Sequence, residues 1–289
     1  MKRKGILLSG GSGSRLYPLT KPISKQLLPI YNKPMIYYPI SVLMLAEIRE
    51  ILLITTGDAL ALYQELLGDG EQWGLSISYC VQEEPRGLAE AFLLGEEFLA
   101  GDPCCLVLGD NFFYGANLSG HLRRASGGEG ARVFGYPVGD PSAFGVVELN
   151  EEGKVVSLEE KPEVPRSSLA VPGLYFFDGR VSEYARKLIP SERGELEITD
   201  LLQHYLAEGR LEVEKMARGT AWLDTGTHDG LLDAAVFVRV VEKRQGLQVG
   251  CLEEIALQKG WISKEDLKKA IEKMGRSSYR EYVETLLEG

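Results

Sequence analysis

Gly5-Ile6-Leu7-Leu8-Ser9-Gly10-Gly11-Ser12-Gly13-Ser14-Arg15-Leu16 decides how the rest of the chain is read. The apolar run Ile6–Leu8 reads as a short buried strand. It stops at Gly10, Gly11 and Gly13. Glycine lets a backbone turn tightly and approach a ligand closely, at an entropic cost. Amides left free on such a loop, with Arg15 beside them, make a cradle for phosphate oxygens. A plain tight turn after an edge strand would explain one glycine pair, and charge decides between the two accounts. The first 46 residues hold no Asp or Glu but carry Lys2, Arg3, Lys4, Arg15, Lys21, Lys25 and Lys33. Because the formal net charge of the 289 residues is −10, the remainder carries −17. A positive field where glycines expose the backbone suits a polyanion. Lys2–Lys4 read as a solvated N-terminus, which leaves Arg15 and Lys25 to serve the loop.

Two familiar phosphate sites are excluded. A Walker A loop needs Lys-Ser or Lys-Thr after its last glycine, and none stands here. A dinucleotide fingerprint needs a glycine where Leu16 stands and an acid about 20 residues on, inside the acid-free region. A dinucleotide-dependent oxidoreductase is thereby set aside. Hydrophobic and charged shares of 44% and 26% are those of a globular protein. No apolar run approaches the roughly 20 residues of a membrane span. The opening run is too short and glycine-rich for a signal peptide. Net acidity argues against a nucleic-acid binder. The four cysteines, Cys104 and Cys105 among them, show no metal-ligand spacing and read as buried reduced thiols in the cytoplasm.

Outward from the loop, strand-like and helix-like stretches alternate through the first half, the pattern of a mostly parallel sheet covered by helices. Pro34 is expected at a helix start before Met35–Ala46, with Pro39 as a kink. Glu50–Thr55 is expected as a strand, Ala59–Leu67 as a helix, Ser76–Tyr79 as a strand and Leu88–Leu99 as a helix. Cys104–Leu108 is a continuous apolar run, hence a central strand. In the second half Val133–Val138, Gly145–Leu149, Lys154–Glu159, Gly173–Phe177 and Leu211–Lys215 are strand-like. A helical stretch spans about Arg180–Glu208, and Thr227 can cap a helix to Glu242. Glu253–Leu287 is helical throughout, with Ser263 and Ser277 as N-caps. Gln245–Gly250 reads as a hinge. Asp110 follows a strand end, where ligands of open α/β sheets bind. An Asp there is ordinarily a turn former, but opposite a cationic phosphate loop it reads as a Mg2+ ligand.

Gly11-Ser12-Gly13-Ser14-Arg15-Leu16, Ser24-Lys25-Gln26-Leu27-Leu28-Pro29 and Lys33-Pro34-Met35-Ile36-Tyr37-Tyr38-Pro39 resemble the sugar-phosphate nucleotidyltransferase family. Within it, they look like the bacterial glucose-1-phosphate thymidylyltransferases. The resemblance implies an α/β fold, Rossmann-like, with a mixed, mostly parallel sheet flanked by helices and a small C-terminal helical unit. It divides the chain into a nucleotidyltransferase domain, 1–244, and an oligomerisation and regulatory unit, 245–289. The nucleotide part is about 1–130 and the sugar-phosphate part about 131–244.

The resemblance also assigns residues. The nucleotide would meet Leu8, Gly10, Gly11, Ser12, Gly13, Ser14, Arg15, Lys25, Gln26, Gln82, Gly87, Leu88 and Asp110. The amide of Gln82 can pair with a pyrimidine edge. The sugar phosphate would meet Asn111, Gly145, Glu160, Lys161, Val171 and Trp222, a carboxylate suiting hydroxyls and an ammonium the phosphate. Mg2+ would bind Asp110 and Asp224. Arg15, Lys25, Asp110, Lys161 and Asp224 would be catalytic in the attack of glucose 1-phosphate on the α-phosphorus of dTTP. The nucleophile is already ionised, so none of the three histidines need act. A homotetramer with a second nucleotide site at Tyr114, Gly115, Arg218, Cys251, Glu254 and Ile255 is implied, restrained by dTDP-rhamnose, the product of the pathway that the reaction opens. Ser9 and Ser14 stand where the family mostly has Ala and Thr, which are mild changes, and Phe144 where it usually has tyrosine, so any contact from that hydroxyl is lost. UTP or ATP as donor, or a regulatory subunit without catalysis, are the competing readings.

Overall fold

A computed structural model describes residues 2–11, 13–216 and 218–288. The strand that feeds the glycine loop, Lys4–Ser9, lies in the middle of a ten-stranded sheet, not at its edge. It pairs in parallel with Glu50–Thr55 on one side and Cys104–Leu108 on the other, and Ser76–Val81 extends the parallel set. Ile6, Leu7, Cys105 and Leu106 are wholly buried, as continuous apolar strands covered on both faces must be. Beyond Cys104–Leu108 the sheet becomes mixed. Leu174–Phe177 runs antiparallel to it and to Ala131–Pro137, which Leu211–Lys215 joins in parallel. Leu169–Val171, Gly145–Leu149 and Val155–Glu160 complete the sheet with antiparallel pairings. Only Leu174–Phe177, Leu169–Val171 and Val155–Glu160 run against the common direction, so the sheet is mixed and mostly parallel, flanked by helices, as expected.

The parallel strands all deliver their carboxyl ends to one side. Ser9 leads to Gly10, Thr55 to Thr56, Val81 to Gln82 and Leu108 to Gly109. That edge is where an open α/β sheet holds its ligand.

Several elements differ from expectation for identifiable reasons. The first long helix is Tyr37–Leu45; Pro34 instead closes a small hairpin with Pro29–Ile30. Pro39 sits in the first helical turn, where its missing N–H has no intrahelical partner to lose, so it imposes no kink. The helical run after Gly87 breaks at Gly95, where a Cβ would come within 3.2 Å of both Ile6 and Leu52 in the sheet. Arg3 is not a solvated terminal cation. It donates to the carbonyls of Cys104, Phe177 and Ser126 at 2.7–2.9 Å. The four cysteines are free thiols, three of them buried.

Three helices close the chain, Leu252–Gln258, Lys264–Lys273 and Ser278–Thr285. Ser263 caps the second in a reciprocal box with Asp266, and Ser277 caps the third. Leu252, Ala256, Leu267, Ile271 and Val283 share one apolar cluster with Leu7 and Leu43. The segment expected to hinge is tied down. Glu242 accepts from the buried Lys33 ammonium at 2.9 Å and from the Val249 N–H at 2.9 Å. Gln248 accepts from Lys33 and Asn32. An ion pair with both partners buried resists the opening that would strand one charge.

Candidate active site

Asp110 stands two residues beyond the strand Cys104–Leu108. Its Oδ2 accepts the Lys25 ammonium, and its Oδ1 accepts the Asn111 amide at 3.0 Å. The sequence separates Asp224 widely from Asp110, and a two-stranded ribbon closes the gap. Asn111–Tyr114 pairs antiparallel with Ala221–Asp224, so that Asp224 faces Asn111. Thr225 seals the end of the ribbon, its hydroxyl donating to the Asp110 carbonyl at 2.7 Å. This ribbon was not expected from the sequence, whose short apolar runs there, Phe112-Phe113 and Trp222-Leu223, give no clear period.

Burial, and next the charge of Asp110, push the Asp224 carboxyl above its ordinary range. The Gly226 N–H, Lys25 and Arg15 oppose that shift. Arg15 is brought close: a Cβ on Gly226 would lie 2.7 Å from its Nη2 and 2.9 Å from Asp224 Oδ1. Arg15, Lys25, Asp110 and Asp224 therefore form one cluster. Among the described residues no third carboxylate, His or Cys joins the two aspartates as a metal set. Two carboxylates with room for phosphate oxygens suit Mg2+, which keeps few protein ligands. A divalent cation would offset both the burial and the neighbouring Asp110 charge that raise Asp224.

From this cluster a cleft runs toward Glu160. Asn111, Gly145, Glu160, Val171 and Trp222 all line it, with Arg15, Leu88, Asp110 and Asp224. Glu160 Oε2 accepts from Thr199 at 2.7 Å, and the Lys161 ammonium lies 3.3 Å from Glu160 Oε1. Lys161 takes a φ of +44° and leaves its side chain half exposed beside Glu160; it is not one of the residues that line the cleft. The Asn111 side-chain oxygen Oδ1 already accepts from Trp222 Nε1 at 2.7 Å and from the Gly173 N–H at 3.0 Å. Asn111 thus braces the cleft wall and Asp110 together. Phe144 packs edge-on against Trp222, with ring centroids 4.9 Å apart. Sequence reasoning missed Tyr175, Thr199, Ile198 and Leu202, which line the same cleft. No motif marks them; they arrive from a buried strand and from a helix start that read only as structure.

On the nucleotide side, a Cβ on Gly10 would lie 2.6 Å from the Gln82 carbonyl oxygen, so glycine there admits the Gln82 side chain. The Gln82 amide donates to Glu90 at 2.7 Å. Gly87, at φ +100°, lies against the Leu196 backbone, where a Cβ would come within 2.4 Å. Its close approach is therefore to the chain itself. Gly11 and Gly13 have φ of 98° and 58°, and Ser14 opens the turn that carries Arg15. Leu8 gives its carbonyl to the Gly109 N–H at 2.9 Å, and Gln26 is buried. Ser12 lies outside the described residues.

The residues expected at a second nucleotide site fall into two groups. Tyr114 reaches Gln245 at 3.1 Å, and Gly115 packs on Thr220 near the exposed Arg218. Cys251 is buried, Ile255 half-buried, and Glu254 accepts from Tyr282 at 2.8 Å on the C-terminal helices.

A cationic loop beside two aspartates, at one end of a cleft that also holds Glu160, suits transfer between two phosphates, the work of a class of α/β transferases. The chain belongs to the nucleotidyl transferase family, which it matches over residues 4–240. A glucose-1-phosphate thymidylyltransferase of Xanthomonas campestris pv. campestris is 57% identical over 99% of this chain and 97% of its own length. One from Mycobacterium tuberculosis is 55% identical, with 99% of each chain covered. A solved Bacillus anthracis protein, in complex with sucrose, matches at a TM-score of 0.76 and 40% identity, over 82% of this chain and 95% of that one. A UDP-glucose pyrophosphorylase holding UDP-glucose matches at 0.72 and 25% identity, over 82% and 98%.

Proposed function

We propose that this chain joins dTTP to α-D-glucose 1-phosphate, forming dTDP-glucose and pyrophosphate in the cytoplasm, as the first step toward dTDP-L-rhamnose. The observation that carries this reading is the cluster of Asp110 and Asp224 with Arg15 and Lys25, opening on a cleft that Glu160, the ion-pair partner of Lys161, also lines. The identity shared with thymidylyltransferases over nearly the whole chain supports the choice of substrates.

Lys161 holds the attacking phosphate, and Glu160, braced by Thr199, takes sugar hydroxyls. Arg15 and Lys25 neutralise the triphosphate, with Lys25 exchanging Asp110 for a phosphate oxygen. A phosphate oxygen of glucose 1-phosphate forms a bond to the α-phosphorus as the bond to the bridging oxygen breaks, and that electron pair leaves on pyrophosphate. No general base is needed, and alignment with charge neutralisation is the enzyme's work. Asp110 and Asp224 would hold Mg2+, which would supply positive charge against the phosphates.

Pyrophosphate release measured with dTTP, UTP, ATP, GTP and CTP in turn, each with glucose 1-phosphate, tests the reading. A preference for dTTP is expected; fastest turnover with UTP or ATP would move the chain to the competing donor, and none at all would leave a binding subunit. Assembly as a homotetramer inhibited by dTDP-rhamnose belongs to the same proposal. Leu232, Val236 and Val240, spaced four apart on one helix and exposed, support it. Light scattering on the intact chain tests it, and a monomer at micromolar concentration would refute it.

A further inference from the structure

Next to the turn that carries Lys25 lies a group of polar side chains, Tyr63, Ser24 and Gln26, of which Tyr63 has no part in the proposed reaction. Tyr63 sits on the inner face of the helix Gly57–Leu67, in line with Ala59 and Leu67, and is wholly buried. A phenol in that setting needs a hydrogen-bond partner. Its hydroxyl lies 3.0 Å from Ser24 Oγ and donates toward Gln26 Oε1 at 3.4 Å. Ser24 also donates to Gln26 Oε1 at 3.0 Å. Ser24 and Gln26 are the two neighbours of Lys25 in the chain, so one helix holds the turn that carries Lys25 from both sides.

The same group bears on the other partner of that lysine. A Cβ on Gly109, the residue before Asp110, would lie 2.6 Å from Ser9 Oγ and 2.9 Å from Gln26 Cγ. The backbone beside Lys25 and the backbone beside Asp110 therefore rest on one packed cluster.

We propose that Tyr63 is a positioning residue: through Ser24 and Gln26 its hydroxyl fixes the turn from which Lys25 grips a nucleoside triphosphate. The inference rests on the reading that Lys25 serves the triphosphate. Removing the hydroxyl alone keeps the ring and the packing, so Tyr63→Phe separates position from fold. Calorimetric titration with dTTP and Mg2+ is run on the parent chain, Tyr63→Phe, Lys25→Ala and the double variant, with Ser24→Ala as a second cut of the same tie. Tyr63→Phe is expected to raise Kd about fivefold, the worth of one hydrogen bond, and to leave the KM for glucose 1-phosphate unchanged. In the Lys25→Ala background it is expected to add almost nothing, as coupled residues do. Parent-like binding by Tyr63→Phe, or the same loss in both backgrounds, would overturn the proposal while leaving the role of Lys25 intact. A Lys25→Ala chain that binds dTTP like the parent would instead remove the underlying reading, and the proposal with it.

Discussion

The Lys25 ammonium is hydrogen-bonded to the carboxylate of Asp110, 85 residues along the chain, with both side chains largely shielded from water. These two charges satisfy each other, and neither is left exposed. Among the described residues no cation is hydrogen-bonded to Asp224, whose carboxylate accepts the Gly226 N–H at 2.9 Å. The two aspartates therefore enter the reaction in different states, and substitutions separate them.

Asp110→Asn and Asp224→Asn are each expected to lower kcat by about a hundredfold or more, the usual scale for losing a charge that stabilises a transition state. Circular dichroism should show both folds intact. Near-normal turnover in either variant would remove that residue from the chemistry.

The Asp224 carboxyl also makes a pH prediction. Its folded pKa is raised above 3.8, by burial first and by Asp110 second. Over the interval between 3.8 and that raised value, the folded chain keeps a proton that the unfolded chain has lost. Stability without ligands therefore falls as pH rises through the interval and levels off above it. Melting curves of the parent chain should show this loss relative to Asp224→Asn, which carries no titrating group there. Parallel curves for the two proteins would contradict the assignment.

The two cations at opposite ends of the site should divide their effects. Lys161→Ala is expected to raise chiefly the KM for glucose 1-phosphate, and Arg15→Ala chiefly that for dTTP, each by about tenfold or more for a lost charged contact. Kinetics with each substrate varied in turn decide it, since identical patterns would mean that the cations share one phosphate.

Lys33 is predicted to matter for folding and not for chemistry. Its side chain is 2% exposed and that of Glu242 6%. Lys33→Met would leave Glu242 buried without its cation, a loss of about 3–5 kcal/mol by denaturant titration. Adding Glu242→Gln should recover part of it. A single variant as stable as the parent would show that water or rearrangement replaces the pair.

Local pattern alone determined a good part of this molecule. Glu50–Thr55, Cys104–Leu108, Gly145–Leu149 and Leu211–Lys215 are strands with the bounds their apolar runs predict. Thr227, Ser263 and Ser277 cap their helices as their residue types predict. Such features depend on neighbours a few residues away, and composition carries them. The acid-free opening was legible as charge, yet only tertiary structure sorted that charge. It spent Arg3 on three carbonyls and Lys33 on Glu242, and left Arg15 and Lys25 beside the aspartates. The pairing of Asp110 with Asp224 needed the ribbon of Asn111–Tyr114 and Ala221–Asp224, whose register joins residues that no spacing in the sequence links. Tyr175 and Thr199 reached the cleft in the same way. A site assembled across a sheet depends on which strands become neighbours, and that choice is made by burial summed over the whole core.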